Sequence, residues 1–163
     1  MTRFKSWDDG ATAALIHLAE YARETAADDG IFQPIFESLG WAVREKPDHI
    51  HIMSELMQRA GVAALHVLAH GGDEPFSLTE MHRLLVGKQH DYGHENILHF
   101  GMVGVAVRLC DKIARLNNLL KRGGEAKHEA LTDTYRDILG YAVIALMLEE
   151  GSFELELEQD GNA

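Results

Sequence analysis

The chain is short of the features that most often disclose a function. It has one cysteine and three prolines, and no apolar run approaches the roughly 18 residues that a bilayer span requires. One cysteine cannot close an internal disulfide, which fits a reducing cytoplasm. Cys110, set among Val107, Ile113 and Ala114, reads as a small buried hydrophobe rather than a nucleophile. The opening residues Met1 to Asp9 contain no apolar core segment, so no secretory signal is expected. Cations are scarce: 15 Lys and Arg stand against 26 Asp and Glu, a formal net charge of −11. That balance argues against non-specific binding to nucleic acid and against an anionic membrane surface. There is no P-loop, no G-x-G-x-x-G and no workable Ser/His/Asp order. Ten histidines are present, with helical spacing at His66/His70 and His90/His94 and an alternating pair at His49/His51. None lies in an H-E-x-x-H arrangement or beside paired cysteines, so a zinc site is not expected.

The few cations are unevenly placed. Residues 83–127 hold eight of the fifteen Lys and Arg against four Asp and Glu, a local net of +4, while the flanks are −7 and −8. A positive band in an acidic protein is an anion site by default.

Apolar periodicity is helical almost throughout, predicting an all-α bundle of about six helices. Asp8-Asp9-Gly10 is expected to cap a first helix over 11–27, with a second over 31–46 and a third from Pro47-Asp48 to Gly71-Gly72. Ser77-Leu-Thr-Glu80 reads as a capping box opening a helix to about Gln89, broken by Tyr92-Gly93. A turn over 95–100 leads to helices over 101–122 and 127–149, with Gly123-Gly124 between them. The tail from Ser152 alternates with period two, predicting a short strand or a disordered acidic end. The division is an N-terminal helical region (1–75), a second helical region (76–150) and an acidic tail (151–163), in one compact domain.

Three blocks carry the candidate chemistry. On helix 101–122 Arg108, Asp111, Lys112, Arg115 and Asn118 share one stripe opposite Leu109, Ile113, Leu116 and Leu120. The stripe is either a solvated face laced with ion pairs or, with Lys88, a phosphate site suited to arginine's bidentate fork. On the last helix Asp133 and Asp137 stand one turn apart, close enough to share Mg²⁺ directly or through water. Asp137 sits where the helix turns apolar, so it needs a cation or a metal, and Arg108 or Arg115 is the expected mate. The alternative is a purely structural Asp–Arg pair. The third block is the turn His90-Asp91-Tyr92-Gly93-His94 with Asn96: Tyr92 could stack on a base, Gly93 permits close ligand approach, and His90, Asp91 or Asn96 could hydrogen-bond a base or sugar. Glu129 reads as a solvated surface residue.

These blocks are where the chain resembles a family. Lys88-x-x-Asp91-Tyr92-Gly93 with Asn96, then Arg108-Leu-x-Asp111-Lys-Ile-x-Arg115-Leu-x-Asn118, then Asp133-Thr-x-x-Asp137-Ile-x-Gly-Tyr141, resembles the nucleotide modification associated domain 1 proteins of bacteriophages and bacteria over about residues 78–148. The resemblance implies a helical protein that handles nucleotides. A looser similarity runs to the MazG-type all-α nucleoside triphosphate pyrophosphohydrolases, which implies Mg²⁺ held by helix-borne carboxylates. That superfamily's Glu-x-x-Glu pair is absent near Arg108–Arg115, and Glu20 and Glu24 are weak substitutes.

The expectation is therefore a cytoplasmic, phage-type nucleotide-handling protein, with Mg²⁺-dependent pyrophosphohydrolysis of a (deoxy)nucleoside triphosphate as the first reaction to test. Asp133 and Asp137, with Asp111, would be the catalytic and metal-holding carboxylates. Lys88, Arg108, Lys112 and Arg115 would take phosphate, and His90, Asp91, Tyr92, Gly93 and Asn96 the base or sugar. The alternative is a non-catalytic binder that sequesters a nucleotide, a defence signal included, or assists a DNA-modifying enzyme. The expected assembly is a homodimer.

Overall fold

The computed structural model describes residues 2–71, 75–123 and 131–158. Seven α-helices occur among them: α1 (Trp7–Glu24), α2 (Phe32–Glu45), α3 (Ile50–His70), α4 (Leu78–Tyr92), α5 (Glu95–Leu98), α6 (Gly101–Lys121) and α7 (Leu131–Glu150). A 3₁₀ turn over Asp29–Ile31 precedes α2, and no strand occurs among the described residues. The all-α reading holds. The break at Gly124, the helix start near 127 and Glu129 lie outside the described residues, as does Gly72.

The centre of the bundle is the pairing of α3 with α7, the most extensive helix contact. Small residues make it possible. Gly61 lies so close to α7 that a Cβ there would stand 2.3 Å from that of Ala142. Around this seam Met53, Met57, Ala60 and Ala64 of α3 and Ile138, Leu139, Ala142 and Val143 of α7 are wholly buried. Each large side chain there contributes on the order of 1.5–3 kcal/mol through burial. One hydrophobic core runs from Trp7 to Phe153, so the first three helices and the last four share it.

The helix boundaries correct the expectation at several points: α1 ends at Glu24, α3 begins at Ile50, part of the expected turn over 95–100 is α5, and two further differences bear on the site. α1 begins at Trp7 because the Ser6 hydroxyl accepts from the Asp9 N–H at 3.1 Å. Gly10, expected in the cap, is inside the helix, where its missing side chain admits Ser152. α4 runs on through Tyr92, three residues past the expected end, and stops at Gly93 with φ +69°. Its capping signal is as expected, the Ser77 hydroxyl accepting from the Glu80 N–H at 3.3 Å.

The tail is neither strand nor loose end over its described part. Phe153 is fully buried, its ring edge-on to Trp7 with centroids 6.1 Å apart. The Trp7 backbone N–H donates to the Glu156 carbonyl at 2.8 Å, and the Glu158 backbone N–H to the Asp8 carboxylate at 2.8 Å. Residues 152–158 thus clasp the start of α1, and with it the position of Trp7.

Candidate functional site

A cleft of about 490 Å³ opens between α4, α6 and α7, with the start of α1 on one wall. Its charged lining is Lys88 from α4, Arg108 and Lys112 from α6, and Arg136 and Asp137 from α7. Each helix supplies these side chains by its own repeat. Lys88 and Tyr92 are four apart, as are Arg108 and Lys112, so each pair points the same way.

Asp137 is the electrostatic hub. It accepts from Lys88 Nζ at 3.1 Å and from Lys112 Nζ at 2.9 Å, one ammonium on each carboxylate oxygen. Its side chain is 15% exposed, so the three charges are partly withdrawn from water. The expected mate, Arg108 or Arg115, is therefore corrected. Arg108 donates to the Asn96 carbonyl at 3.1 Å, and Arg115 reaches the Thr134 hydroxyl, one turn before Asp137 on α7. Lys88 from α4 and Lys112 from α6 instead bring two point charges to one carboxylate.

Of the residues singled out in the sequence, the cleft gathers Lys88, Tyr92, Asn96, Arg108, Lys112 and Asp137. His90, Asp91, Gly93, Asp111, Arg115 and Asp133 do not line it. His90 and Asp91 miss it because α4 continues as helix, which turns them away from the face of Lys88, Gln89 and Tyr92; they border a shallow surface hollow instead. Asp111 is exposed, one residue out of phase with Lys112. Asp133 bonds Arg136 at 3.1 Å on the rim. Arg136, Gln89 and Trp7 are wall residues that the sequence reading missed. Arg136 and Gln89 adjoin residues already singled out, whereas no local signal marks Trp7.

Among the described residues the two carboxylates expected to hold Mg²⁺ are both engaged by cations. Both Asp137 oxygens accept from ammonium groups, and Asp133 is engaged by Arg136 off the cleft wall. The described residues contain no cluster of three or more His, Cys, Asp or Glu placed to share an ion. A nucleophilic cysteine is also unsupported: burial pushes the Cys110 thiol up to about 11, with Asp111 adding to the rise.

The remaining lining is apolar or aromatic: Met81, Leu85, Ile97, Gly140, Tyr141 and Ile144. The helices run antiparallel across the cleft, since Lys88 meets Asp137 while Leu85 and Met81 lie against Gly140. The charged residues therefore mark one end of α7's contribution and Ile144 the other. Seven helical residues separate Asp137 from Ile144, about 10 Å of rise.

This polarity, cationic at one end and apolar at the other, falls on the part of the chain that a known family covers. Residues 88–148 match the family model for nucleotide modification associated domain 1. The match takes in the end of α4 and the helices through most of α7, and so every charged residue of the cleft. Trp7, Met81 and Leu85 are contributed from outside it. No curated protein matches the chain, and no solved structure does. No helix among the described residues is long and apolar enough to cross a membrane.

Proposed function

We propose that the cleft binds the phosphate end of a nucleotide. The observation that carries this reading is that, among the described residues, Lys88, Arg108, Lys112 and Arg136 stand on the walls of one cleft against a single carboxylate, Asp137. Apolar walls beside them lower the local dielectric and strengthen each charge–phosphate contact. Asp137 holds the two ammonium groups at fixed positions, ready for a ligand with several anionic oxygens. Arginine 108 adds a planar fork suited to two phosphate oxygens. The family description, with its reference to nucleotides, points to the same ligand class.

Binding without hydrolysis is the better-supported form, because among the described residues no carboxylate on the cleft wall stands clear of a cation to activate water. Hydrolysis of a (deoxy)nucleoside triphosphate is the second reading, favoured by the placing of Asp137 within the cationic wall. There, magnesium would arrive with the nucleotide rather than reside in the protein.

One experiment separates them. The protein is titrated calorimetrically with nucleoside mono-, di- and triphosphates and with inorganic pyrophosphate, with and without Mg²⁺, while released pyrophosphate is followed. Triphosphates and pyrophosphate should bind, and Arg108→Ala or Lys112→Ala should each weaken binding about tenfold or more. Steady release of pyrophosphate would replace the binder with the enzyme. Absence of binding by every phosphate compound would sink both.

A further inference from the structure

Two buried polar atoms lack hydrogen-bond partners among the described residues: the Trp7 indole Nε1 and the Asn96 side-chain oxygen. Both residues line the same cleft. Trp7 is 1% exposed, so water cannot satisfy its N–H. An unmet donor or acceptor shielded from water is a standing cost, and its concentration at one cavity points to a ligand that supplies the missing partners. One atom is an obligate donor and the other an acceptor.

Their surroundings narrow the chemistry. Trp7 comes from the wall that α1 contributes, fixed by the ring of Phe153 and by the Glu156 carbonyl. Asn96 is held from behind by Arg108, which grips its backbone carbonyl. Beside them the cleft is lined by Leu85, Ile97, Tyr141 and Ile144, which suit a flat, weakly hydrated ring rather than a polyhydroxylated group.

Resting on the phosphate reading above, we propose that the apolar end of the cleft receives the nucleobase. The Trp7 N–H donates to a ring acceptor, and the Asn96 oxygen accepts from a neighbouring ring or amino N–H. Because both atoms are shielded, the base meets them only after wall side chains rotate. The phosphates then reach the cations of the same cleft, Lys88, Arg108, Lys112 and Arg136, with Arg108 adjoining Asn96. The base contact at Trp7 lies outside the segment that matches the nucleotide-associated family and the one at Asn96 inside it, so the N-terminal helix contributes one of the two base contacts.

The test uses the two tryptophans. In a ¹H–¹⁵N spectrum the intact protein shows two indole N–H signals, Trp7 and the half-exposed Trp41, told apart by Trp41→Phe. Nucleoside monophosphates and triphosphates should move the Trp7 signal strongly and leave Trp41 in place. Inorganic tripolyphosphate and ribose 5-phosphate should leave the Trp7 signal in place. Trp7→Phe, which keeps the ring against Phe153, should lower the ratio of nucleotide to tripolyphosphate affinity about tenfold. A Trp7 signal unmoved by any bound nucleotide overturns the base assignment while the phosphate reading stands. Movement by ribose 5-phosphate equal to that by the nucleotide overturns it in favour of the sugar. A nucleotide that moves Trp7 while tripolyphosphate fails to bind supports the base contact and sinks the phosphate reading.

Discussion

Asp137 shows how one side chain can look like a metal ligand in sequence and act as an internal counter-ion in the fold. Its position one turn after Asp133 suggested a carboxylate doublet, yet its neighbours in space are two lysines from two other helices. Removing its charge therefore has two opposed effects. In Asp137→Asn the ammonium groups lose their partner within a partly buried site, and stability should fall by about 1–3 kcal/mol. The same change makes the cleft more positive, so pyrophosphate should bind more tightly than to the native protein. Denaturant unfolding and calorimetry read the two effects separately. A variant that binds more weakly would show that Asp137 contacts the ligand or its metal.

At the scale of helices, periodicity was informative wherever one face met the core, and least so at ends and across distances. The stripe on α6 was legible because Arg108 and Lys112 repeat at four residues opposite Leu109, Ile113 and Leu116, and both reach the cleft. Arg115 shares that stripe but lies one turn farther on, where the facing residue is Thr134 rather than open space. The helix expected to end near Gln89 runs on through Tyr92, and those three further helical residues turn His90 and Asp91 away from the site. Trp7 could not have been read locally, since its nearest cleft neighbours in the chain are more than seventy residues distant. The seam of α3 on α7 supplies a test at this scale. Gly61→Ala places a methyl 2.3 Å from the Ala142 Cβ, and neither backbone can yield cheaply. The variant should lose about 1–3 kcal/mol, visible as a lower midpoint in urea with an unchanged m-value.

For the whole molecule, the family match covers 88–148 but not a closed fold, because α7 buries much of its surface against α3 and the core continues to Phe153. The charged end of the cleft lies inside the matched segment and its apolar end draws on the rest of the chain. Phe153→Ala should therefore do more than open a cavity. Beyond a loss of about 3–5 kcal/mol, it frees the Trp7 ring from its edge contact. Fluorescence of the Trp41→Phe background should then report a more mobile, solvent-reached Trp7.

The lysine-bound carboxylate has one more consequence, for what can occupy the cleft. A carboxylate on the same chain is present at the lysines at a high effective concentration that no dilution reduces. Chloride or another singly charged ion, meeting each lysine one at a time, competes poorly with a tethered rival. A polyphosphate engages both lysines and the arginines together and can outcompete it. If the cleft takes phosphate as proposed, it would thereby disfavour small singly charged anions and favour multivalent ones, a selectivity set by a group the protein carries with it.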